Sequence, residues 1–97
     1  MDEKAFQSAV VRLARQFGWR VYFTWSSMHS PAGYPDLTMC RPASNGQPGR
    51  LIFAELKTDR GKLTPAQEEW LADLRAVGAE AHCWRPSDVD TIAEVLR

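Results

Sequence analysis

Two carboxylates and one lysine stand where a pair of strands would bring them together. The run 50–57, RLIFAELK, ends in Glu55 and Lys57. Residues two apart in a strand emerge on the same face of the sheet, so these side chains share a face. Their neighbours Leu51, Ile52, Phe53, Ala54 and Leu56 are apolar on both faces. A carboxylate and an ammonium closing such a strand are costly to desolvate unless they are paired or bind a cation. Asp36 opens the preceding strand-like run, 36–41, and in a hairpin it approaches Glu55 across the pair. Two carboxylates held together repel each other, and a divalent metal is the usual reason to hold them so. The plainer alternative is a Glu55–Lys57 salt bridge at a strand end, with Asp36 in a turn after Pro35. What separates the two is the combination: Gly-Tyr-Pro-Asp opens one strand, and Glu-Leu-Lys closes the next.

The elements that must position these groups follow from periodicity. Phe6, Val10, Leu13, Ala14 and Phe17 recur at helical spacing, which predicts an amphipathic helix over 2–17 that stops at Gly18. The aromatic and β-branched run 19–25 alternates as a strand, and 26–34 is a loop punctuated by Pro31 and Gly33. Strands at 36–41 and 50–57 flank a stretch of turn residues and form an antiparallel hairpin with a long loop. A polar link, 58–62, leads to a helix from Thr64 to Val77 with Pro65 at its first position. A fourth strand covers 80–84, and Ser87 is the expected cap of a last helix carrying Val89, Ile92, Ala93 and Leu96. The order α-β-β-β-α-β-α predicts an α/β fold, a mixed sheet flanked by helices.

Length and composition set the bounds. A chain of 97 residues is one small domain, here 1–97, and buries about 60–65% of its unfolded surface, which leaves a dimer as a source of further burial. Twelve basic and twelve acidic residues cancel, which argues against a purely electrostatic nucleic-acid binder but leaves room for a local basic patch. Cys40 and Cys83, with His29 and His82, do not have the spacing of zinc ligands, and both cysteines lie in apolar runs that read as reduced core. The chain has neither a membrane-length apolar run nor a signal-like N-terminus, so a cytoplasmic protein with no membrane partner is the expectation.

Pro35-Asp36 followed by Glu55-Leu56-Lys57 resembles the signature of the PD-(D/E)XK nucleases, whose core is restriction-endonuclease-like. More narrowly, Gly33 to Leu37, then Glu55-Leu56-Lys57, then Leu63-Thr64-Pro65-Ala66-Gln67 with Trp70, Leu74 and Gly78, is similar to the VRR-Nuc family. The likeness runs from about Glu3 to Trp84. It implies a Mg²⁺- or Mn²⁺-dependent endonuclease on branched DNA, of the small stand-alone kind that occurs in phages and bacteria, resembling Holliday-junction resolvases and acting as a homodimer. Residue by residue, it implies that Asp36, Glu55 and the backbone carbonyl of Leu56 bind the metal. Lys57 would position the attacking water and offset charge in the transition state. An acidic residue in the position of Glu3 completes the metal site in the family; here the alternative is a first-turn acid favoured by the helix dipole.

Gln67 carries a conflict. Thr64-Pro65-Ala66-Gln67 is a capping box, in which Gln67 reaches back to the Thr64 N–H. The family's glutamine instead contacts the catalytic lysine or water, and one side chain does not easily serve both. The active-site role is the one expected. Lys4, Arg60 and Lys62 are candidate phosphate contacts beside Lys57, with a solvated turn as the alternative. His29 lies in the loop before Asp36 and is left outside the catalytic set. Trp19 and Trp84 read as core, whereas Trp25 would stack on an unpaired base or pack at a dimer interface. Two rival functions remain: a nucleic-acid-binding or assembly module with a nuclease fold, and the nuclease subunit of a larger repair or restriction assembly.

Overall fold

The structure, a computed structural model, describes residues 1–24 and 28–97. Trp25 lies outside the described residues, and with it the base-stacking and dimer readings. The chain opens with helix α1 (Glu3–Gln16), capped by Asp2, whose carboxylate accepts from the Ala5 N–H at 2.7 Å. Three strands follow, β1 (Arg20–Phe23), β2 (Leu37–Arg41) and β3 (Arg50–Leu56). Helix α2 (Pro65–Ala76) crosses over to β4 (Glu80–Trp84), and α3 (Val89–Leu96) ends the fold.

The sheet order is β1-β2-β3-β4, antiparallel at the first two pairings and parallel at the third. The mixed α/β sheet expected from the element order is therefore present. The β2–β3 loop narrows to an inner turn in which Asn45 and Gly46 both take positive φ, 50° and 80°. That is the backbone of a type I′ hairpin turn, closed here by reciprocal Ser44–Gln47 hydrogen bonds of 3.0 and 2.8 Å.

Alternation along the strands sorts the core. Leu37, Met39, Ile52, Ala54 and Leu56 are fully buried on one face, where they meet Phe6, Val10 and Ala14 of α1 and Ile92 and Leu96 of α3. Trp19 and Trp84 belong to the same core, as expected. Trp19 also makes cation–π contacts with Arg41 and Arg50, whose guanidinium carbons lie 4.7 and 5.2 Å from its ring centre. Arg41 donates to the Phe17 and Leu96 carbonyls at 3.2 and 2.9 Å, satisfying the ends of two helices. Arg50 holds Glu80 through both guanidinium arms, at 3.0 and 2.7 Å.

Three expectations are corrected. Cys40 is exposed rather than core, because it falls on the strand face opposite Leu37 and Met39; Cys83 is half-buried, and both thiols are free. Leu51 is on that same outer face and 49% exposed, so β3 is not apolar-buried on both sides along its whole length. Ser87 does not cap α3. It lies in a 3₁₀ turn, Pro86–Asp88, where its N–H donates to the Asp59 carboxylate at 3.0 Å.

A candidate active site at the β2–β3 end

Continuing the β2–β3 register one step beyond Leu37↔Ala54 sets Asp36 against Glu55. Asp36 is fixed by the backbone: its Oδ2 accepts from the Leu56 N–H at 2.8 Å. Proline at 35 stiffens the approach, and the loop before it is held by a close contact. Gly33 takes φ +95° and lies so near the start of α2 that an added Cβ would stand 2.5 Å from the Ala66 carbonyl oxygen. Only glycine allows both that conformation and that approach. The Gly-Tyr-Pro-Asp motif thereby ties Asp36 to the same helix end that carries Gln67.

Glu55 is 2% exposed, a carboxylate on the outer face of β3 beside the first turn of α2. Its Oε2 accepts from the Gln67 amide Nε2 at 3.1 Å, whereas its Oε1 is buried with no hydrogen-bond partner among the described residues. Burial first, then the repulsion and proton-sharing contact of Asp36, push the Glu55 carboxyl up to about 8; Lys57 opposes the shift and Glu3 adds to it. An orphaned, desolvated carboxylate oxygen next to a second carboxylate is a costly arrangement without a cation. It has the donor chemistry of a hard divalent ion such as Mg²⁺ or Mn²⁺, so the residues fit the metal that the motif implies.

Gln67 resolves its own conflict. Its Oε1 accepts from the Thr64 N–H at 2.9 Å and its backbone N–H donates to Thr64 Oγ1 at 3.2 Å, which completes the capping box. Its Nε2 meanwhile donates to Glu55. The expected difficulty of one side chain serving both does not arise, because a primary amide has two ends: the cap uses the oxygen and the carboxylate uses the nitrogen. Its contact is with Glu55, not with the lysine.

The remaining candidates fall in different places. Lys57 directly follows β3, half-buried, with its N–H on the Trp84 carbonyl at 3.0 Å. Leu56 is fully buried on the opposite face from Glu55, as an alternating strand requires. Glu3 is exposed in the first turn of α1, and its charge reaches Glu55. It does not complete a ligand set: among the described residues no group of three or more His, Cys, Asp or Glu converges to hold a metal. Arg60 and Lys62 are exposed on the β3–α2 link, and Lys4 lies apart on a groove between α1 and β1.

Two features escaped the sequence reading. A cleft of about 1020 Å³ opens over Asp36 and Gln67, and its walls include Tyr22, Tyr34 and Trp70. Tyr34 meets Trp70 edge-to-face at 5.1 Å and bonds Thr38 Oγ1 at 3.0 Å. Tyr34 and Trp70 both lie within the motif itself, but nothing in their spacing says that they face each other. The second is Arg85, whose guanidinium donates to the carbonyls of Thr58 and Gly61, the latter at 2.6 Å. With the Ser87–Asp59 bond it fastens the link that follows Lys57; that N–H also holds the Asp59 carboxyl below the usual carboxylate range.

Comparison with known proteins identifies the family and the fold. The family model described as "VRR-NUC domain" matches residues 1–86. A solved structure titled "VRR_NUC domain" superposes with TM-score 0.77 at 23% identity, covering 95% of this chain and 94% of that one. A second, "VRR_NUC domain protein", gives TM-score 0.70 at 21% identity over 99% and 85% of the two chains. Hjc from Archaeoglobus fulgidus, a Holliday junction resolvase, shares the fold at TM-score 0.56 and 21% identity, over 86% of this chain and 69% of that one. No curated protein matches the sequence. With its α/β nuclease fold and its motif-bearing strands, the chain belongs to the VRR-NUC domain family.

Proposed function

We propose that this protein is a metal-dependent, structure-selective endodeoxyribonuclease that cuts branched DNA as a homodimer. The observation that carries the reading is Glu55: a buried carboxylate with an orphaned oxygen, set beside Asp36 and oriented by Gln67. Asp36, Glu55 and the Leu56 carbonyl would hold Mg²⁺ or Mn²⁺. Bound there, the ion would polarise the scissile phosphate and lower the pKa of a water.

The chain's own residues supply the rest. The Leu56 N–H aims Asp36, and the capped start of α2 fixes the Gln67 amide that aims Glu55. Lys57, on the same strand face as Glu55, orients the attacking water and offsets the charge that builds on the phosphate. Water attack with the 3′-oxygen as leaving group would break the P–O3′ bond, and protonation of that oxygen would leave a 5′-phosphate and a 3′-hydroxyl. Glu3 stands outside this pair among the described residues and would have to move in from α1 to become a further carboxylate ligand. Lys4, Arg60 and Lys62 contact phosphates on either side. A twofold dimer would present two such sites to the two strands of a four-way junction.

One observation favours a second reading, a DNA-binding module with weak activity: Glu3 does not join the acidic pair among the described residues. A labelled panel of four-way junction, flap, linear duplex and single strand, incubated with and without Mg²⁺ or Mn²⁺, separates the two. The nuclease reading expects symmetric, metal-dependent cuts in the junction that Lys57→Ala abolishes. Binding without cutting of any substrate supports the module instead.

A further inference from the structure

The chain is neutral as a whole, but its charges are segregated. From Lys4 to Pro35 the sequence holds Lys4, Arg12, Arg15 and Arg20 and not one acidic residue. The exposed face of α2 is the opposite, with Glu68, Glu69 and Asp73. Three of the four cations converge. Lys4, Ser8, Arg12 and Arg15 recur at i, i+4, i+8 and i+11 and form one stripe along α1.

That stripe is one wall of a groove of about 850 Å³, whose other side is formed by Phe23 and Thr24 at the end of β1, the free edge of the sheet. Lys4, Arg12 and Arg15 are exposed, and none of their side chains has an ion pair or hydrogen bond among the described residues. Thr24 also lines the cleft over Asp36, so the two depressions are neighbours that share one wall residue. The stripe begins one residue from Glu3, whose charge is felt at Glu55.

We propose that the α1–β1 groove is a track for a DNA backbone, leading away from the acidic pair, with Arg12 and Arg15 as phosphate contacts. This rests on the nuclease reading for its direction, but on charge and shape for its existence. Eleven residues at the helical rise of 1.5 Å make the stripe roughly 16 Å long. Projected on the axis of a duplex, that length corresponds to about five phosphates of one strand, at about 3.4 Å each. Unpaired cations along a groove without acids suit a polyanion that enters lengthwise. The acidic face of α2 repels the same polyanion and so sets the side from which DNA approaches.

The test is affinity of the intact protein for a short fluorescein-labelled DNA duplex in EDTA, followed by anisotropy over roughly 50 to 200 mM salt. Removing one phosphate-binding cation should lower the slope of log K against log salt by about 0.9. Arg12→Gln with Arg15→Gln should therefore reduce the slope by about 1.8, which is about 60-fold in affinity at 0.1 M salt by the same relation. Arg12→Lys with Arg15→Lys keeps both charges and should keep the slope. Arg20→Gln with Arg97→Gln removes two cations outside the groove and should leave the slope near wild type. All these side chains are exposed, and unchanged melting curves verify the fold. An unchanged slope in the first variant, an equal reduction in the control pair, or no binding by wild type would each overturn the track. Because EDTA removes cleavage from the readout, a reduced slope in a protein that cuts nothing would keep the track and sink the nuclease reading. Metal-dependent cutting with an unchanged slope would do the reverse.

Discussion

Replacing Glu55 by glutamine tests whether its environment stores the cost that a cation would relieve. In the metal-free protein the Glu55 carboxyl is raised from 4.5 to about 8. The folded state therefore holds a proton that the unfolded state releases between those values. The contribution of Glu55 to stability is full below pH 4.5 and falls as pH rises, by about 1.4 kcal/mol per unit, until Glu55 ionises near pH 8. From pH 5 to 8 that amounts to about 4 kcal/mol, and a domain of this size loses about 4 °C or more of Tm per kcal/mol. Glu55→Gln keeps the shape and the Gln67 contact but cannot titrate, so its decline over this range should be smaller by that amount. Thermal melts of both proteins in EDTA at half-unit pH steps measure the difference. Saturating Mg²⁺ should flatten the wild-type curve, because a ligand at 100 times its Kd adds about 3 kcal/mol to the folded state. Parallel pH profiles for wild type and Glu55→Gln would refute the reasoning.

Other perturbations follow from particular contacts. Gln67→Leu removes the acceptor for the Thr64 N–H and the donor to Glu55 together; a loss of about 1–3 kcal/mol in urea melts and a large fall in cleavage are expected. Gln67→Glu preserves the cap but sets another carboxylate against Glu55, so it should stay folded near pH 6 and lose activity. Gly33→Ala meets the Ala66 backbone in a left-handed conformation, costs about 2–4 kcal/mol and shifts Asp36; denaturant midpoints and cleavage rates should fall together. Arg85→Ala frees the Thr58 and Gly61 carbonyls, so proteolysis within the 58–62 link should accelerate while the sheet's amide protection is retained.

How much of this was legible depends on the range of the physics involved. Helix α1, the Thr64-Pro65 start of α2 and strand β4 follow from local periodicity and capping, and their bounds lie within one residue of expectation. The Asp36–Glu55 encounter follows from alternation and a hairpin, which are also local rules. Cys40 and Leu51 were misjudged because an apolar run does not say which face has a helix over it; here α1 and α3 cover one face, while the outer face of β2 is left open at Cys40. Ser87 was misjudged because Pro86 starts a 3₁₀ turn before the helix. The double duty of Gln67 was hidden because it depends on the rotation of one amide. The contact of Arg85 with the 58–62 link joins distant segments, and no spacing encodes it; the basic stripe of α1 is written at helical spacing, but its groove against β1 is a tertiary feature.

The central claim is that Asp36 and Glu55 are held together for a divalent ion. Calorimetric titration of Mn²⁺ into the DNA-free protein at pH 7, repeated in two buffers of different ionisation enthalpy, addresses it directly. One ion should bind per chain with release of about one proton, the one that Glu55 holds at this pH. Asp36→Asn and Glu55→Gln should each lose that binding. Undiminished Mn²⁺ affinity in both variants, or binding by wild type with no proton released, would contradict the account.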